Sequence, residues 1–138
     1  MREAFEPYRR EYTSDAYTDT VTSDQIARER LRTMVVLVAE GPSGAIVGTI
    51  ASVRVSPMEG HLRGMAVRPN WQGKGVAGAL LQGALEHLRS AGCRLVTLDT
   101  TLPLARATRF YEKNDFRKSG KVTDFFGMPL IEYVREFA

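Results

Sequence analysis

The spacing of apolar residues along the chain changes at a few clear points. Residues 34–40 (MVVLVAE) form a β-rich run, and residues 45–55 form a second one. Residues 41–44 (GPSG) between them carry turn chemistry, so the pair reads as an antiparallel hairpin. Residues 57–60 make the next turn, and residues 61–67 (HLRGMAV) the third strand, ended by Arg68-Pro69. The period then lengthens. Apolar residues at 77, 80, 81, 84, 85 and 88 make one face of a helix over 75–90, with Gly92 as its C-terminal stop. Residues 93–98 form a short apolar strand. Thr100, Thr101 and Pro103 look like the cap and first turn of a helix over 104–114. Residues 116–124 and 129–137 alternate as two closing strands around Gly127.

The first third of the chain is less regular. Ala4, Phe5 and Tyr8 sit at helical spacing within residues 2–12. Residues 13–24 (TSDAYTDTVTSD) lack a period and read as a loop, in which Ser23 or Asp24 can cap a helix over 25–33. The expected order is therefore αα-βββ-α-β-α-ββ, a mixed α/β sheet. At 138 residues the chain has the size of one domain, and no repeat or low-complexity tract divides it.

Charge and cysteine content narrow the function classes. The net charge of +3 comes from 19 basic and 16 acidic side chains without a concentrated basic stripe. A nucleic-acid partner is therefore not expected. One modest anionic ligand suits the charge better. Cys93 is the lone cysteine, which excludes an intrachain disulfide, a four-cysteine metal cage and a CxxC pair, and points to a reducing compartment. The longest apolar run, 34–39, is far short of the roughly 18 residues of a membrane span. The acidic start MREAFE lacks the apolar core of a signal peptide. The expectation is a cytoplasmic chain with no membrane partner.

The informative segment is residues 67–78 (VRPNWQGKGVAG), a glycine-rich turn that opens an amphipathic helix. The first N–H groups of a helix have no intrahelical partner, and the helix dipole adds partial positive charge. Glycines let a ligand approach the backbone. A phosphate or pyrophosphate fits this arrangement. Three motifs compete for it. A Walker A loop fails because Lys74 is followed by Gly75 instead of Ser or Thr. Gly73, Gly75 and Gly78 satisfy the GxGxxG of a Rossmann NAD(P)-binding oxidoreductase, and Asp99 lies where that fold carries an acid. However, Arg68 to Gln72 separate the glycines from the strand, and three strands precede them. The third motif is Gln-x-x-Gly-x-Ala, met by Gln72, Gly75 and Ala77.

On that motif the segment resembles the GNAT superfamily of N-acetyltransferases. Residues 65–69 (MAVRP) are similar to the family strand and exit before its acetyl-CoA loop, and residues 93–116 to the following strand and the FYEK-x-GF helix end, with Asp115 where glycine is usual. The resemblance covers about residues 34–137. It implies a mixed, mostly antiparallel sheet flanked by helices. Family members commonly begin with a strand before the first helix, whereas this chain reads as beginning within that helix, so either that strand is absent or the start has been trimmed.

The resemblance implies acetyl transfer from acetyl-CoA to an amine of a small molecule or peptide, by direct attack and without a metal. In that reading the backbone N–H groups of Gln72, Gly73, Lys74, Gly75, Val76 and Ala77 hold the pyrophosphate, and Lys74 either adds charge or is a solvated loop residue. Met65, Ala66 and Val67 pair with the pantetheine arm where their strand splays from its neighbour, and a freed N–H there can hold the thioester oxygen. Tyr111 stands at the family's general-acid position, and a packing role is the other possibility. A lysine-type amine is neutral in only about one molecule in a few thousand at pH 7, so a base is valuable. His61 lies where some members carry a glutamate base. Glu59, on the same parity, is the alternative, and each is otherwise a solvated polar residue at a strand end. His61, Arg63 and Met65 share a face if no bulge intervenes. Asp99 and Thr100 end the next strand near the site. Cys93 is expected in the core. Tyr12, Asp15, Tyr17, Asp19, Phe125 and Phe126 are candidates to line the acceptor pocket. Two other classes stay open: a non-catalytic acetyl-CoA-binding protein and the Rossmann oxidoreductase. A homodimer through the last strand is a further possibility.

Overall fold

The computed structural model describes residues 33–100 and 105–137. The helices expected over 2–12 and 25–33 and the loop between them lie almost wholly outside these residues, as does the question of a strand before them. Six strands form one sheet: β1 Val35–Glu40, β2 Ile46–Arg54, β3 Glu59–Val67, β4 Leu95–Thr100, β5 Arg117–Phe125 and β6 Met128–Glu136. Helix α1, Val76–Ser90, connects β3 to β4, and α2, Ala105–Lys113, precedes β5. The sheet order is β1-β2-β3-β4-β6-β5, and only the β3–β4 pair is parallel. This is the expected mixed, mostly antiparallel sheet with helices. It excludes the parallel doubly wound sheet that the Rossmann reading requires.

The alternation of β3 and β4 decides which side of the sheet is oily. Leu62, Val96 and Leu98 join Ile50 in a core completed by Leu80, Leu81, Ala84, Leu85 and Leu88 of α1. The fit is close. A Cβ on Gly60 would stand 2.7 Å from both Leu88 methyl carbons, so only glycine lets α1 lie this near. Cys93 is buried in the same core, as its apolar surroundings suggest. Tyr111 of α2, Phe116 and Tyr133 of β6 extend the core toward the other end of the sheet.

Two differences from the pattern-based reading bear on the site. The third strand begins two residues early, at Glu59, because residues 55–58 complete the turn and Glu59 O accepts the Val55 N–H at 2.9 Å. The register of β2 on β3 steps from Thr49↔Ala66 to Ala51↔Arg63, so β3 carries an extra residue there. Gly64 lies within this bulge at φ +64°, and Thr49 Oγ1 donates to its carbonyl at 3.0 Å. The bulge breaks the alternation between His61 and Met65. His61 and Arg63 keep a common face, but Met65 does not follow from their parity.

Candidate active site

The strands part where the glycine segment begins. The β3–β4 ladder holds only Glu59↔Leu95, Gly60↔Val96 and His61↔Thr97. Beyond His61, β3 continues to Val67 paired with β2 alone. Arg68 N–H donates to Val47 O on the β2 side at 2.8 Å. By strand alternation the Val67 amide therefore faces the opening. The bulge at Gly64 lies just beyond the last β3–β4 pair.

A short 3-10 turn, Pro69–Trp71, carries the chain from this opening to α1. It is braced from two sides. Gln72 Nε2 donates to Val67 O at 3.0 Å, tying the turn to the strand end. Trp71 packs toward the β1–β2 turn, where a Cβ on Gly41 would lie 3.2 Å from its ring. The Lys74 ammonium sits over the Trp71 ring, 5.2 Å from the centroid. Gly73 (φ +76°) and Gly75 (φ +85°) are both left-handed, and Gly75 caps α1 without a side chain.

This geometry leaves a row of donors. Of the expected set, Gln72 differs from the rest: its own N–H donates to Pro69 O at 3.3 Å. The first helical bond of α1 runs from Ala79 N to Gly75 O, so the N–H groups of Val76, Ala77 and Gly78 have no acceptor within the helix. Gly73 and Lys74 precede them on an exposed turn. Among the described residues, a Cβ built on Gly75 or Gly78 meets nothing within 4 Å, so the backbone is uncovered at these two positions. A helix opening with bare amides, left-handed glycines and clear approach suits an anionic phosphate group.

Polar side chains gather on the sheet face turned away from α1. His61 Nδ1 lies 2.8 Å from Thr97 Oγ1, and His61 Nε2 lies 3.7 Å from Asp99 Oδ2. The His61 and Asp99 side chains are 21% and 34% exposed. Burial holds His61 below its ordinary value of 6.5 against the pull of the Asp99 carboxylate. Burial likewise raises Asp99 above 3.8, against the pull of His61. Glu132 stands opposite Asp99 on β6, and Lys121 Nζ lies 4.0 Å from Glu132 Oε2. Glu59, the other proposed base, lies at the closed end of the β3–β4 ladder, opposite Leu95, whereas His61 closes the last pair before the opening.

Tyr111 is 7% exposed, with its ring edge-on to Phe110 and Phe116. Burial raises its phenol well above the usual range, which keeps it protonated. Phe110 packs against the core as expected. The Thr100 hydroxyl is buried and has no hydrogen-bond partner among the described residues. Phe125 and Phe126 form the β5–β6 corner with ring centroids 5.0 Å apart. Tyr12, Asp15, Tyr17 and Asp19 lie outside the described residues. Sequence reasoning missed Thr97, because its place beside His61 depends on a parallel register between residues 36 apart in the chain.

The model of the acetyltransferase (GNAT) family matches residues 1–116. This chain belongs to that family. Solved GNAT structures share its fold. A GNAT-family acetyltransferase from Staphylococcus aureus superposes with a TM-score of 0.75 at 20% identity, over 98% of this chain and 89% of that one. A GNAT acetyltransferase from Elizabethkingia anophelis with acetyl-CoA bound gives 0.68 at 16% identity, over 83% and 84%. In sequence, the chain is 36% identical over 83 residues to the glucosamine 6-phosphate N-acetyltransferase of Trypanosoma brucei brucei, covering 55% of this chain and 54% of that protein. It is 37% identical over 71 residues to an aminoglycoside N(6')-acetyltransferase of Stenotrophomonas maltophilia, covering 51% and 46%. The chain thus spans about half the length of these curated relatives. Among the described residues of this GNAT chain, no helix is long and apolar enough to cross a membrane.

Proposed function

We propose that this GNAT chain transfers the acetyl group of acetyl-CoA directly to a primary amine. The observation that carries the reading is the coincidence of two features at one place: β3 and β4 part after His61↔Thr97, and the glycine turn opens its bare amides beside the parted strands. In this reading Gly73, Lys74, Gly75, Val76 and Ala77 hold the pyrophosphate through backbone N–H groups, with Gln72 as a brace instead of a ligand. Met65, Ala66 and Val67 line the opening for the amide-rich arm, and the Val67 N–H is turned to meet it. His61 takes the proton of the amine in preference to Glu59, because it stands at the edge of the opening. Tyr111, by its place in the FYEK segment, donates to the leaving thiolate. The two named relatives act on amino sugars by their names, so amine-bearing sugars lead the list of acceptors to try.

The test combines binding with turnover. Acetyl-CoA at 100 times its dissociation constant should stabilise the chain by about 2.7 kcal/mol in thermal melts, and NADH should not. A panel of amino sugars, diamines and peptide amines read by free thiol release then identifies the acceptor. Stabilisation by acetyl-CoA with no thiol release from any amine would favour a non-catalytic binding protein. No stabilisation would remove the reading.

A further inference from the structure

His61 is held from both ring nitrogens by residues of β4. Thr97 is buried, 5% exposed, and its hydroxyl carries one proton. The Gly60 carbonyl, 3.5 Å away, lies in position to accept that proton. With the proton so placed, Thr97 Oγ1 acts toward His61 as an acceptor, and the 2.8 Å contact is a donation from Nδ1–H. The lone pair then lies on Nε2. Asp99 favours the opposite tautomer, since a carboxylate accepts and would draw the proton to Nε2. At 3.7 Å, however, it stands beyond hydrogen-bond reach of a neutral ring, yet within ion-pair range of a charged one.

We propose that Thr97 and Asp99 are positioning residues for His61: Thr97 fixes the Nδ1–H tautomer, which frees Nε2 to take the amine's proton, and Asp99 steadies the imidazolium that results. The inference rests on the acetyl-transfer reading above. In that step the amine lone pair forms the N–C bond to the acetyl carbon, and the C–S bond breaks with its electron pair on sulfur. One amine proton passes to Nε2, and the thiolate takes a proton from Tyr111 or water. The imidazolium later returns its proton to solvent. The products are an amide and a free thiol.

Among the described residues, the charged groups that act on His61 are Asp99 of β4, Arg63 and Glu59 of its own strand, and Glu132 of β6. Lys121 of β5 acts on Asp99. Asp99 is the largest of the charges acting on the ring, so its removal should move the titration of His61 downward.

The tautomer can be read without acceptor or turnover. The chain has two histidines, and His87 is exposed on α1, where it serves as an internal reference. A long-range 1H–15N spectrum of the imidazoles above pH 7.5 should show His61 protonated at Nδ1. Thr97→Val should shift His61 toward the Nε2–H form and leave His87 unchanged, and Thr97→Ser should restore the wild-type pattern. Asp99→Asn should lower the titration midpoint of His61 and reduce kcat about tenfold or more, with KM for acetyl-CoA unchanged. A wild-type spectrum showing His61 protonated at Nε2 would overturn the proposal even if the Thr97 variants fail to fold. So would an Asp99→Asn protein whose His61 titrates as in wild type. If the wild-type chain does not bind acetyl-CoA, the acetyl-transfer reading fails and takes this inference with it. If it binds and acetylates amines while the His61 results are contrary, this inference alone fails.

Discussion

On one face of β3 and β4, Gly60, Leu62, Val96 and Leu98 meet α1. On the other, one residue out of phase, stand His61, Arg63, Thr97 and Asp99. The first face is shaped by contact, to the point that a single added carbon at Gly60 would collide with Leu88. The second is shaped by charge. It places two carboxylates, Asp99 and Glu132, directly opposite each other, an arrangement that costs stability. Alternation along a strand thus separates the residues that pack the core from the polar group proposed to serve chemistry. The difference between the faces can be measured, one substitution at a time.

The largest effect belongs to the apolar face. Leu81 is fully buried in the core, so Leu81→Ala should cost about 2–5 kcal/mol in denaturant unfolding. Activity per folded molecule should hold. A matching loss of kcat would break the division between faces. Tyr111→Phe keeps the ring packing against Phe110 and Phe116 and removes only the hydroxyl. We expect a fall in kcat of about tenfold to a hundredfold with acetyl-CoA binding retained, measured by single-turnover thiol release and calorimetry. Unchanged turnover would return Tyr111 to the core alone.

Gly75→Ala comes next. The left-handed φ of +85° should cost about 1–2 kcal/mol in thermal stability. The added carbon meets nothing within 4 Å among the described residues, so any further loss of acetyl-CoA affinity reports on the ligand's own approach.

The smallest effect sharpens the comparison most. Asp99 has its pKa raised in the folded state, so between 3.8 and that raised value the native protein binds more protons than the unfolded chain. Its contribution to stability therefore falls as pH rises through that window and is unfavourable at pH 7. Asp99→Asn should raise the melting temperature slightly at pH 7, with a stability gain below ~1 kcal/mol because the group is a third exposed, while lowering kcat. His61 behaves in the opposite sense. Its lowered pKa means that its stabilising contribution is complete above about 6.5 and is lost as pH falls through the folded-state value. Melting curves across pH 4–8 would check both signs.

Local signals carried most of this architecture into view before the structure did. The glycine turn, the stripe at 77–88 and the order of strands are properties of short segments, and short segments determine them. What stayed hidden depended on partners far along the chain. The bulge at Gly64 is defined by register against β2, where Thr49, 15 residues away, donates to its carbonyl. The amide of Gln72 looked free until the 3-10 turn brought Pro69 O within 3.3 Å. Thr97 reads as an ordinary strand residue until the parallel register sets it beside His61. Tyr111 was visible through its motif, but the depth of its burial follows from Phe116 folding back across it.

The central claim concerns the turn between β3 and α1, and backbone amide shifts test it most directly. Titrating acetyl-CoA into 15N-labelled protein should move the resonances of Gly73, Lys74, Gly75, Val76 and Ala77 first and furthest, with Val67 following at the strand opening. Saturable shifts centred elsewhere in the sheet, with those five amides still, would contradict the account.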